Sequence, residues 1–253
     1  MITLQHNTAA AVEEQAAWAG AQALLLGVLG GTVGLGPLGW LVGSAYALAT
    51  WALLSTALQR SRTALGPADR VTLARGVLVG CVTALVVDRV AAMGASTDVP
   101  TAVVVSFAAI ALALDFVDGQ VARRTGTSSA VGARFDMEVD AFLILVLSVH
   151  VAFTVGPWVL AIGAMRYVFV AAARVLPWLI GDLPPSYARK TVAAVQGIVL
   201  VVAASDVVPY AEVLVGLALA ALVWSFGRDI AWLWRNRSDF LTESTPMEGF
   251  THV

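Results

Sequence analysis

The amino-acid sequence predicts an all-α, polytopic integral membrane protein: a six-helix core preceded by an N-terminal helix pair, about eight transmembrane helices in all. Three observations carry this reading. Hydrophobic residues make up 59% of the 253, charged residues only 13%, and the mean hydropathy is +0.83. That is about half the charge a water-facing domain carries. Residues 15–59 hold no Asp, Glu, Lys, Arg or His, a run of 45. Beyond it, apolar stretches of helix length recur between joins rich in Gly, Pro and charge. Disorder, an ordinary soluble enzyme and a disulfide scaffold are excluded, the last because Cys81 is the single cysteine. Nothing resembles a basic nucleic-acid patch, and the net charge is −2. The first Lys or Arg is Arg60, so no basic start of a secretory signal is expected.

A spanning helix needs about 20 apolar residues, so the charge-free run holds two, residues 17–35 and 38–58. Gly34, Gly36 and Pro37 supply the turn between them. Gly30 with Gly34, and Gly39 with Gly43, have the spacing that lets membrane helices approach closely. After a polar link come six more helices, residues 70–92, 99–123, 132–155, 157–180, 190–204 and 210–234. Residues 1–58 form the N-terminal pair, 59–237 the core, and 238–253 a polar tail expected to be disordered.

Sorting the Lys and Arg by side gives the orientation. One side collects Arg60, Arg62, Arg70, Arg75, Arg123, Arg124, Arg134, Arg189, Lys190, Arg228, Arg235 and Arg237, or 12 of the 15. Cytoplasmic loops carry the excess of positive charge. The crowded side is therefore expected to face the cytoplasm, with both termini there too, in a multi-pass protein of the cell membrane.

The segment 114–142 is the least ordinary part of the chain. Asp115 and Asp118 share one face of a helix at i, i+3, and Asp136 and Asp140 share a face of the next at i, i+4. The link from Thr125 to Ala130 is short, so the two helices are expected to be antiparallel neighbours with converging carboxylates. Such charges repel and are costly to desolvate at a membrane boundary. Any one aspartate would be unremarkable as a solvated interfacial charge; four on adjacent helices would not. Clustered oxygens suit magnesium, manganese or calcium, and with no Cys or suitably spaced His they do not suit zinc. A pair of such ions would neutralise the cluster and form a clamp for phosphoryl transfer. Gly119, Ala122 and Gly132 leave backbone room for a flat ligand, and Arg123 can hold a phosphate bidentately.

The pattern Asp115-x2-Asp118-Gly119-x2-Ala122-Arg123-x8-Gly132-x3-Asp136-x3-Asp140 resembles the signature of the CDP-alcohol phosphotransferase family, with eight fixed positions over 26 residues. The resemblance covers the six-helix core and leaves the N-terminal pair unexplained. It implies that Asp115, Asp118 and Asp136 hold two Mg2+ or Mn2+ ions that bridge the diphosphate of a CDP-alcohol. Asp140 would ligate a metal and act as general base on the acceptor hydroxyl, and CMP would leave. Gly119, Ala122, Arg123 and Gly132 would line the cytidine site. It implies a homodimer as well. The expected activity is a step of phospholipid synthesis, with CDP-diacylglycerol the expected donor. Glycerol 3-phosphate, an inositol phosphate or phosphatidylglycerol are the candidate acceptors.

Upstream, Asp69, Thr72 and Arg75 resemble the family's Asn-x-Leu-Thr-x-x-Arg opening, with Asp69 in place of Asn and Val71 in place of Leu. They are expected at the nucleotide, although Asp69 would serve equally as a helix cap. Arg166 and Arg174 lie within a helix, where an arginine faces protein or a wet cavity. With Arg134 and Lys190 they are candidates for binding a phosphorylated acceptor. Glu138 is expected to point to another face. A rival reading is a cation- or proton-coupled transporter, which would place the carboxylates near the membrane midplane on broken helices.

Overall fold

The structure is a computed structural model. It describes residues 2–61, 67–92, 100–125, 130–181, 183–184 and 186–237, with side chains in these except at 2–14, 57–61, 67–68, 118, 121–125 and 130–131. The expected tail, residues 238–253, lies outside the described residues. Every regular element among them is helical. In lipid a chain must satisfy its backbone polar groups within the segment, and a helix does so.

Eight α-helices follow in order: α1 (Ile2–Thr32), α2 (Pro37–Ser61), α3 (Pro67–Ala91), α4 (Thr101–Thr125), α5 (Ala130–Val155), α6 (Leu160–Val175), α7 (Tyr187–Ala204) and α8 (Ala211–Arg235). Among the described residues six stretches are long and apolar enough to cross a membrane, within α2, α3, α5, α7 and α8 and over Pro157–Val175. Helix α4 adds a shorter apolar stretch, Thr101–Val117, among the described residues. The chain is an all-α polytopic membrane protein.

Two expectations are corrected. Helix α1 begins at Ile2, well before residue 17, since the Ala-rich stretch ahead of the apolar run favours helix. The helix expected over 157–180 is α6 flanked by 3-10 turns at Pro157–Val159 and Pro177–Ile180. Pro177 has no N–H to donate and pushes Leu176 out of helical geometry (φ −118°, ψ 87°).

Helix α3 is the hub. Of its membrane window 72% is buried, against 17% for α2. Its residues Val79, Cys81, Val82, Ala84 and Leu85 are fully buried. Helices α2, α4 and α5 all pack on it extensively. Gly34, at φ +78°, makes the α1–α2 turn, whereas Gly39 and Gly43 give the close approach. A Cβ on Gly39 would lie 3.0 Å from the Ala84 carbonyl of α3. On the other side, a Cβ on Gly163 would lie 2.5 Å from Leu145 Cα, which brings α6 against α5.

Candidate metal centre and substrate cavity

Near its start α3 carries Asp69, Thr72 and Arg75, three residues apart and on one side of the helix. All three are buried, and Arg75 is fully so. Asp115 lies just past the middle of α4, and Asp136 and Asp140 lie one turn apart in the first half of α5. Each of these three aspartates offers a carboxylate oxygen, and the three oxygens lie within 4.8 Å of one another.

Among the described residues both α4 and α5 pack extensively on α3. What they meet over is Arg75. Its Nη1 donates to Asp115 Oδ1 at 2.5 Å, and its Nη2 pairs with Asp136 Oδ1 and lies 3.1 Å from Asp140 Oδ1. Nη2 also donates to the Asp136 carbonyl at 3.2 Å. One guanidinium thus ties together acids from two helices, as its planar fork of five donors allows.

The donor set fits a hard divalent cation. All three ligand groups are carboxylates, and their oxygens are close enough to share an ion. The side chains of Asp118, Ala122 and Arg123 lie outside the described residues. Gly119 and Gly132 are partly exposed.

Beside the cluster opens a cavity of about 740 Å³ between α5, α6, α7 and α8. Asp140 lines it, with Arg166, Arg189, Lys190, Gln196, Ser225 and Asp229 as its other polar side chains. Apolar residues, among them Ile144, Phe169, Val192 and Phe226, line the rest. Of the four expected acceptor residues, Arg166 and Lys190 reach this cavity, while Arg134 and Arg174 are exposed and do not line it.

The charged groups here are largely committed. Arg166 Nη2 donates to Glu138 Oε1 at 2.5 Å, so Glu138 is the counter-charge of a cavity arginine. Asp229 accepts from Arg228 at 3.0 Å and from Arg189 at 3.5 Å. Lys190 forms no ion pair among the described residues. Asp229 escaped the sequence reading, although a charged Arg228-Asp229 pair in the last helix was a signal for it.

Residues 66–224 match the family model described as CDP-alcohol phosphatidyltransferase. The chain belongs to this family. No curated protein and no solved structure matches it. Membership implies transfer of a phosphate from a CDP-alcohol in lipid synthesis, with an alcohol acceptor, in a membrane, and with a divalent metal. As a CDP-alcohol phosphatidyltransferase family member, the chain has its carboxylate cluster and most of its cavity inside the matched stretch. The pair α1 and α2 lies outside it, as do Arg228 and Asp229.

Proposed function

We propose that the chain transfers a substituted phosphate from CDP-diacylglycerol to the hydroxyl of a second, phosphorylated alcohol, releasing CMP. The observation that carries this is the position of Asp140, which belongs to the carboxylate cluster and to the cavity wall at once. A base that must touch both an activated diphosphate and an acceptor hydroxyl belongs at such a junction.

In this reading Asp115, Asp118, Asp136 and Asp140 hold two Mg2+ or Mn2+ ions, and Arg75 aligns the acids. When bound, the ions supply the positive charge that screens the diphosphate and stabilises departing CMP. Gly119, Ala122, Arg123 and Gly132, with Asp69 and Thr72, receive the nucleotide. Asp140 takes the proton of the acceptor hydroxyl. That oxygen bonds to the phosphorus carrying the diacylglycerol, and the bond from this phosphorus to the CMP oxygen breaks. The apolar walls of the cavity suit a site between lipid and water, and uncommitted Lys190 suits a phosphate on the acceptor.

The reacting unit is residues 59–237, working as a homodimer with cluster and termini facing the cytoplasm, where 12 of the 15 Lys and Arg gather. Helices α4 and α5, which carry the carboxylates, run unbroken among the described residues, whereas the transporter reading calls for broken helices.

The test is CMP release by the purified protein given CDP-diacylglycerol and each candidate acceptor, with the lipid product identified by mass. Chelation is expected to stop release and Mg2+ or Mn2+ to restore it. Turnover that survives chelation, or cation flux without CMP, would overturn the proposal. Lys190→Glu is expected to raise KM for a phosphorylated acceptor by about tenfold, the worth of one charge-assisted hydrogen bond, with kcat little changed. Equal KM in both proteins would remove Lys190 from the acceptor site.

A further inference from the structure

The family match begins at residue 66, and the transfer chemistry leaves α1 and α2 without a task. Their packing nevertheless runs the length of α3 and reaches the charged cluster. Along α3, Gly76, Gly80, Ala84 and Asp88 recur every four residues and form a row of positions facing the pair. At the far end Asp88, which is buried, accepts a hydrogen bond from the Gly36 N–H at 3.0 Å. Midway, the side-chain space of Gly80 is taken by Gln22 of α1 and Tyr46 of α2, whose Cδ1 would lie 2.7 Å from a Cβ there.

At the cluster end the pair reaches past α3 to α5. Tyr46 stacks on Phe142 with ring centroids 5.4 Å apart, two residues beyond Asp140. Leu54 of α2 and Leu73 of α3 form a small buried cluster on which Trp18 and Phe135, the residue before Asp136, both pack. Of the two phenylalanines that bracket Asp136 and Asp140, Phe142 is held directly by Tyr46 and Phe135 shares an apolar cluster with Leu54 of the N-terminal pair. Tyr46 also stands beside the arginine: its hydroxyl would lie 4.0 Å from a Cβ on Gly76, the residue after Arg75.

Arg75 needs such support. Its Nε is buried with no hydrogen-bond partner among the described residues, so the polar contacts of its guanidinium lie at the tip, to the three acids and the Asp136 carbonyl. Packing of α3 against α5 must then fix where the guanidinium meets those acids. We infer that α1 and α2 form a built-in clamp that sets the register of α3 against α5, with Tyr46 the positioning residue that holds the carboxylate oxygens close enough to share an ion. This rests on reading the carboxylate cluster as the reactive centre. It differs from that reading in assigning the N-terminal pair a part in ion binding.

The flat ring carries the contact with Phe142, so Tyr46→Phe keeps the clamp and Tyr46→Ala removes it. Misplacement of about 1 Å at a reacting centre is expensive even when its cause is remote. Full-length protein is titrated with Mn2+ alone, with binding followed by electron paramagnetic resonance and scaled to the folded fraction. Tyr46→Ala is expected to weaken Mn2+ binding about tenfold, and Tyr46→Phe to stay within about twofold of wild type. The double variant Tyr46→Ala with Phe142→Ala is expected to be no weaker than the worse single variant, because both remove one contact.

Wild-type Mn2+ affinity in folded Tyr46→Ala would overturn the clamp, even with thermal stability lowered, since the ring would then be ordinary packing. Multiplying losses in the double variant would overturn it too. Should Tyr46→Ala not fold, Tyr46→Leu keeps bulk without a flat face and is read by the same titration. CMP release is measured in parallel. Active wild type with normal Mn2+ binding in the Tyr46 variants sinks the clamp alone. Tyr46-sensitive Mn2+ binding in a protein that releases no CMP sinks the transfer reading alone.

Discussion

Asp140→Asn is expected to cut CMP release by about 10³-fold or more, near the upper range for loss of a positioned base. Asparagine keeps the shape of the side chain and its place between cluster and cavity. It cannot take a proton from the acceptor hydroxyl, and its oxygen is a poorer ligand than a carboxylate. Folding should not suffer, because the substitution removes one negative charge from three whose oxygens crowd within 4.8 Å. Asp115 and Asp136 remain with Asp118, so Mn2+ binding should weaken without vanishing. The combination is diagnostic: a stable protein that still binds metal and turns over almost nothing. A variant retaining more than about a tenth of wild-type turnover would be incompatible with a general base at this position.

Much of this site was legible in the sequence because its determinants are local. Asp115 with Asp118 and Asp136 with Asp140 are each fixed to one helical face by spacing, and the eight-position pattern needs no tertiary information. The spans were legible because a 45-residue stretch without charge has few homes other than lipid. What escaped depends on how helices cross. Arg75 was expected at the nucleotide by its place in the opening motif, yet the structure sets it among acids 40 and 61 residues away. No spacing within one helix reports that. The same holds for Glu138, whose partner Arg166 comes from α6, and for Asp229, which pairs with Arg189 from α7. The interruption at Pro177 is different, since its signal is local: a proline has no N–H to donate and turns the residue before it out of helical geometry.

The guanidinium of Arg75 decides how this cluster tolerates its own charge. Its side chain is completely buried, while the three carboxylates it meets are 41%, 35% and 36% exposed. Breaking a fully buried ion pair costs about 3–5 kcal/mol, and water at the acid side lowers that, so Arg75→Ala should destabilise the protein by about 2 kcal/mol. Arg75→Lys restores the charge but not the fork. An ammonium is a compact point charge and cannot hold oxygens from α4 and α5 in one plane. Lysine is therefore expected to recover most of the thermal stability while leaving CMP release about 10²-fold low, because the acids are no longer aligned. The opposite pattern has an equally definite meaning. If Arg75→Ala stays active and binds Mn2+ more tightly than wild type, the guanidinium competes with the ion for the same oxygens. Full activity in Arg75→Lys would show that charge alone is needed, and that the geometry drawn around this arginine does not matter to the reaction.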